Sequence, residues 1–248
     1  MPTTTALPPK PGKEARKIQA MFNSIADRYD FLNHLLSAGT DIAWRNLVVR
    51  ETMDPKYRRI LDVACGTGDL ALALRRKAHP ECHVVGADFT DSMLRIATEK
   101  GRGVEGALDW VLADGLKLPF ASGTFDLVTI AFGIRNMESL EGALREFRRV
   151  LRPGGKLAIL EFSQVENPLI RAVYTPYFRH VLPRIGALLS QRSAYLYLPN
   201  SVLHFPGRHE LAGLMRRQGF RRVRHCPLSF GIAAVHIGEK PRRPSHGQ

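Results

Sequence analysis

The stretch from Arg59 to Asp69 reads RILDVACGTGD. An apolar run, Ile60 to Ala64, meets a glycine turn, Gly66-Thr67-Gly68, and a helix follows from Asp69. This is the strand–turn–helix by which an open α/β sheet brings backbone close to a nucleotide-like ligand. Gly66, Gly68 and Ala71 also fit the glycine fingerprint of dinucleotide-binding proteins, so the glycines alone are unspecific. Charge separates the two readings. A pyrophosphate wants a helix N-terminus without competing carboxylates. Here Asp62 comes just before the turn and Asp69 just after it. Such a rim suits a ligand with positive charge, such as the amino group and sulfonium of S-adenosylmethionine. The plainer reading is a capped turn with Asp69 as N-cap.

Outward from this stretch, strand and helix patterns alternate. Strands are expected at Arg59–Ala64, His83–Ala87, Leu108–Ala113, Asp126–Phe132 and Lys156–Phe162. Helices are expected at 69–78, 91–100 and 140–151, with Pro153-Gly154-Gly155 stopping the last one. Repeated βαβ units argue for a parallel sheet covered on both faces. A final helix at 209–218 and closing strands at 221–228 and 233–238 complete a mostly parallel, seven-stranded α/β sheet. Residues 13–52 read as a helical N-terminal cap, and residues 164–206, rich in proline and aromatics, as a helical insertion. Residues 1–12 read as a disordered leader and 241–248 as a basic tail, leaving one domain over 13–240.

Composition sets the outer limits. The 248 residues allow one large domain. No apolar run reaches the roughly 18 residues of a membrane span, and the N-terminus lacks a signal-peptide core. Cys65, Cys82 and Cys226 are too few and scattered for a disulfide framework or a zinc site, so no metal is expected and a cytoplasmic setting is the default. The formal charge of +13 gathers in clusters such as Arg145, Arg148, Arg149 and Arg152, and Arg216 to Arg224. Solvated helix faces explain part of it; attraction to anionic lipid or nucleic acid is the other reading. Aromatics are sparse in these clusters, so no nucleic-acid partner is expected.

Three acidic positions fit one ligand. Asp88 ends the second strand about twenty positions after Gly68, where a carboxylate can accept from both ribose hydroxyls. Asp114 follows the third strand, placed to face an adenine edge with the Gly115 backbone beside it. Asp62 is placed to reach a methionine amino group. The strand order puts all three on the carboxyl edge of the sheet. With Gly66, Thr67 and Gly68 they form the expected cofactor site.

The chain resembles the UbiE/MenG family of C-methyltransferases of ubiquinone and menaquinone biosynthesis. The resemblance lies in Phe22 to Trp44 (FNSIADRYDFLNHLLSAGTDIAW), in Phe132-Gly133-Ile134-Arg135-Asn136, and in Arg149 to Gly155 running into Leu160-Glu161-Phe162-Ser163. Asp41 stands where relatives often have histidine, and Ala131 where some have serine, so neither is given a role. The resemblance implies a Rossmann-like class I methyltransferase fold. It also implies methyl transfer from S-adenosylmethionine to a ring carbon of a prenylated quinol. It points to Tyr29, Arg135 and Asn136 as catalytic residues: Arg135 to stabilise phenolate or orient a water, Asn136 to hold that water, Tyr29 to close over the site. Tyr29 as packing and Arg135 as the partner of a carboxylate are the plainer alternatives.

A lipid-borne substrate gives the insertion a purpose. Val173, Tyr174, Tyr177, Phe178, Val181 and Leu182 suit either a tail channel or core, and Arg171, Arg179 and Arg184 suit lipid phosphates. Peripheral contact with an anionic membrane surface is therefore expected. An RNA methyltransferase and a non-catalytic scaffold of a quinone-synthesis complex are the competing classes.

Overall fold

The computed structural model describes residues 19–23, 26, 30, 34, 37, 39–176, 201–202 and 204–242, with the side chains of 173–175 excepted. In chain order the elements are α1 (Thr40–Thr52), β1 (Arg59–Val63), α2 (Asp69–Lys77), β2 (His83–Asp88), α3 (Asp91–Gly101) and β3 (Leu108–Leu112). Then come β4 (Phe125–Ala131), a 3₁₀ turn (Ile134–Asn136), α4 (Leu140–Val150), β5 (Leu151–Phe162) and α5 (Pro168–Pro176). The chain closes with α6 (Arg208–Arg217), β6 (Arg221–Leu228), a second 3₁₀ turn (Ser229–Gly231) and β7 (Ala233–Glu239).

The strands form one seven-stranded sheet in the order β3-β2-β1-β4-β5-β7-β6. β1 to β5 pair in parallel, and β7 runs antiparallel to both of its neighbours. The chain builds outward from β1 to β3, then returns to β4 on the other side of β1. The order therefore reverses between β1 and β4, the place where open α/β sheets bind ligands beyond their carboxyl ends.

The central strands are apolar because helices cover both faces. Leu61, Val63, Val128 and Ile130 join one core cluster, while Ile60, Val84 and Leu127 join the other, as alternation across a strand requires. α4 turns Ala143, Leu144, Phe147 and Val150 inward at helical spacing, and its N-cap Ser139 accepts from the Gly142 N–H at 2.9 Å.

Two local expectations are corrected. Pro153-Gly154-Gly155 does not stop α4, which ends at Val150. The three residues lie within β5. Leu151 already pairs with Phe125, the register then shifts, and pairing resumes at Leu127 with Lys156. Gly154, at φ +80°, donates to the Lys240 carbonyl, and the Lys240 N–H returns to Gly155, so the segment is a bulge tied to the end of β7. The N-cap of α2 is Gly68 at φ +86°, not Asp69. Asp69 is the first helical residue and its carboxylate pairs with Lys100.

Of the expected insertion, residues 164–176, 201–202 and 204–206 are described. Tyr177, Phe178, Arg179, Val181, Leu182 and Arg184, the side chains of Val173 and Tyr174, and the leader 1–12 lie outside the described residues.

Candidate active site

The glycine turn is held by the acid of the next strand. Asp88, last in β2 and 6% exposed, accepts the Gly66 N–H on Oδ2 and the Thr90 N–H on Oδ1, both at 2.8 Å. Burial raises its pKa, and these backbone donors work against the rise. The Thr90 hydroxyl and the Phe89 amide also favour its ionised form. Gly68 is required by packing: a Cβ there would lie 2.5 Å from the Trp110 ring of β3 and 3.1 Å from Ala97.

Asp62 lies in β1, 1% exposed, and accepts from Thr129 Oγ1 of β4 at 2.6 Å. Burial pushes its carboxyl up to about 7, against the Thr129 bond, the Arg45 charge and the Ala71 amide. Asp114 follows β3; its Oδ1 accepts the Leu116 N–H at 2.8 Å, closing a tight turn. In that turn Gly115 packs so close to Met137 and Val63 that a Cβ would meet Met137 Cε at 2.5 Å. The Asp114 loop is thus drawn over the end of β1. Cys65 is a half-buried thiol whose pKa is pushed well up by burial and by Asp88 and Asp62 beside it.

The N-terminal segment closes the rim. Thr67 Oγ1 donates to Asp30 Oδ1 at 2.5 Å, and Lys100 Nζ bonds Asp30 Oδ2 at 2.9 Å while also pairing with Asp69. Gln19 donates to the carbonyl of Phe89, next to Asp88, and Ser92 Oγ donates to Asn23 at 2.6 Å. Asp41, which was given no catalytic role, is a structural hub. It holds His34 at 2.8 Å, Ser37 at 2.6 Å and Arg45. Burial lifts its carboxyl, but the Ser37 and Arg45 hydrogen bonds outweigh burial and leave it below the usual range.

Beyond β4, Phe132 takes a left-handed φ of +56° and the 3₁₀ turn carries Arg135 and Asn136. The Arg135 side chain is 6% exposed. Its Nη1 donates to Glu161 Oε1 at 2.7 Å and to the Phe132 carbonyl, and the guanidinium lies 5.4 Å over the Phe162 ring. Trp44, Phe132 and Phe162 pack their rings together at 4.8 to 6.4 Å, with Arg45 5.8 Å over Phe132. Glu161 is the residue that sequence reasoning missed; its only signal was its place in the Leu-Glu-Phe-Ser stretch. Tyr29 lies outside the described residues.

The set therefore fits a cationic nucleoside ligand. Asp62 is a carboxyl that a nearby cation would ionise. Asp88 is an acceptor beside the turn, and the cation next to that turn, Lys100, is engaged by Asp30 and Asp69. Among the described residues no group of three or more His, Cys, Asp or Glu side chains is arranged to hold a metal.

Comparison with known proteins identifies the family. The model of the ubiE/COQ5 methyltransferase family matches residues 10–240. The chain is 49% identical, over 92% of its length and 95% of the relative, to the ubiquinone/menaquinone biosynthesis C-methyltransferase UbiE of Syntrophotalea carbinolica. It is also 49% identical to the demethylmenaquinone methyltransferase of Thermus thermophilus, over 89% of this chain and all of that one. A solved methyltransferase structure from Thermotoga maritima, described as a possible histamine N-methyltransferase, superposes with a TM-score of 0.63. It is 21% identical, spans 89% of this chain and 99% of its own, and speaks for the Rossmann-like fold alone. The chain belongs to the ubiE/COQ5 methyltransferase family, and is an S-adenosylmethionine-dependent C-methyltransferase of quinone biosynthesis.

Proposed function

We propose that the substrate is a demethylated prenyl quinol, demethylmenaquinol or the related ubiquinone-precursor benzoquinol, methylated at a ring carbon. The observation that carries this reading is the family match across residues 10–240, together with 49% identity to curated quinone methyltransferases. When bound, S-adenosylmethionine supplies an electrophilic methyl: the ring carbon takes it, the electron pair of the broken bond stays on sulfur, and the displaced ring proton passes to water.

The protein positions the two reactants in line. Asp88 binds the ribose hydroxyls, Asp62 the amino group, and Asp114 with Gly115 the adenine edge. Gly66, Thr67 and Gly68 line the approach. The ring carbon becomes nucleophilic once a neighbouring hydroxyl, with an ordinary pKa near about 10, loses its proton. Arg135 supports that ionisation. Its Nε is buried with no protein partner among the described residues, and so is free to donate to a phenolate oxygen or to a water between them. Asn136 orients that water; the closing role that the resemblance gives Tyr29 falls on a residue outside the described ones.

The prenyl tail is held in the bilayer by about 0.8 kcal/mol per buried CH₂. The enzyme therefore works at the cytoplasmic membrane surface as a peripheral protein. Among the described residues no helix is long and apolar enough to cross a membrane. Leu169 and Phe230, each 79% exposed, and the exposed Arg171 suit an anionic interface. The quinone profile of a deletion strain tests the substrate. Accumulation of the quinone lacking one ring methyl supports the reading; an unchanged profile removes it.

A further inference from the structure

Glu161 is tied to both ends of Arg135. Its Oε1 accepts from Arg135 Nη1 at 2.7 Å and from the Phe162 N–H at 2.9 Å, and its Oε2 accepts from the Arg135 backbone N–H at 3.4 Å. The carboxylate is 1% exposed, near the carboxyl end of β5, one residue past the last β4 pair and opposite Ala234 of β7. It thus fixes the turn that carries Arg135 and Asn136 and sets an opposite charge against the guanidinium.

We infer that Glu161 is a positioning residue for methyl transfer, holding Arg135 over the reacting phenol while tempering its positive charge. The inference rests on the reading of Arg135 given above. Its physical reason lies in where charge goes during the reaction. A phenolate and a sulfonium cancel their charges as the methyl moves, so the transition state carries less charge than the bound reactants. A cation that grips phenolate at full strength stabilises the reactants more than the transition state and slows the step. With no cation the phenol stays protonated. A guanidinium balanced by a buried carboxylate lies between these limits: it favours ionisation without trapping the anion.

Among the described residues, the other charges near the pair are engaged or distant. From α1, Arg45 lies over Phe132 and is engaged by Asp41 and Asp69. On the far side of β4, Asp62 titrates with the cofactor and is held constant by saturating it. The residue facing Glu161 on β7 is Ala234, which carries no charge.

Single-turnover methylation of a short-chain quinol, with cofactor saturating, is measured from acid to alkaline pH. In Glu161→Gln the Arg135 charge is no longer tempered. The acid limb should move to lower pH by about one unit, and the plateau rate should fall at least about tenfold. S-adenosylhomocysteine affinity should stay within about twofold of wild type. In Glu161→Asp the charge remains but its reach is shorter, so the limb should return toward wild type while the rate stays low. A limb that stays in place or moves upward in Glu161→Gln overturns the inference, as does a Glu161→Asp variant with wild-type rate. If Glu161→Gln does not fold, the Asp variant decides alone: a rate loss without loss of S-adenosylhomocysteine affinity supports positioning, and parallel loss of both overturns it. A wild-type protein inert toward the quinol removes the reading of Arg135 and the inference with it.

Discussion

Thr129 Oγ1 donates a 2.6 Å hydrogen bond to Asp62 Oδ1, and the two residues are also register partners across β4 and β1. The bond lowers the pKa of a buried carboxyl that burial drives up to about 7. Asp62 therefore changes charge close to neutral pH, and a cation beside it favours the ionised form.

This sets a pH dependence for cofactor binding. A cationic amino group binds the ionised form, so affinity should be full above about 7 and fall by up to about tenfold per unit below it. Calorimetry with S-adenosylhomocysteine should show that limb. Thr129→Val removes the bond that lowers the Asp62 pKa and should move the limb upward. Asp62→Asn should weaken binding and flatten the profile. The sign for folding is the reverse. A carboxyl raised in the folded state gives its full stability below its ordinary pKa and loses it as pH rises through about 7. Unliganded Asp62→Asn should therefore gain melting temperature over wild type at pH 8 and not at pH 4.

Asp88 has a double duty. Asp88→Ala removes the acceptor for two ribose hydroxyls, each worth about 1.5–3 kcal/mol to a charged partner, so affinity should fall at least about a hundredfold. It also strands the Gly66 and Thr90 amides, and the variant should lose about 1–3 kcal/mol of stability in urea. Unchanged affinity in a folded variant would place the ribose elsewhere.

Gly68 tests the turn by packing alone. Gly68→Ala forces a Cβ against Trp110 at a left-handed φ and should cost about 1–3 kcal/mol in denaturant unfolding. Adding Trp110→Leu should recover part of that loss, because the clash goes and the backbone strain stays. Equal stability of Gly68→Ala and wild type would contradict the turn geometry.

What the sequence made legible follows from how local each signal is. The carboxyl ends of the strands were readable within a residue or two, because segments such as Ile60 to Val63 are buried and largely apolar; the start of β5 was not, and lies five residues earlier than expected. The acidic rim was readable because topology alone puts strand ends on one edge. The Pro-Gly-Gly bulge was misread, since its hydrogen bonds go to Lys240 on a distant strand. Gly68 looked like a ligand contact, and its neighbour Trp110 comes from another strand. Glu161 was invisible as a partner of Arg135 because β5 and the turn after β4 meet only in three dimensions.

Asp30 links the N-terminal segment to the glycine turn through Thr67 and Lys100. Asp30→Ala breaks both contacts and leaves Lys100 to Asp69. Cofactor dissociation, followed by stopped flow, should become about three- to tenfold faster, with the quinol KM little changed, since each half-exposed contact contributes about 0.2–1 kcal/mol. An unaltered dissociation rate would mean that the segment does not help retain the cofactor.

The central claim is carbon methylation of a quinol ring. Purified protein, S-adenosylmethionine carrying a ¹³C methyl, and a short-chain demethylmenaquinol, with structured RNA as a parallel substrate, test it most directly. The account predicts one labelled methyl on a ring carbon, seen by NMR of the product, and no label in RNA. Label on a quinol oxygen, or on RNA alone, would contradict it.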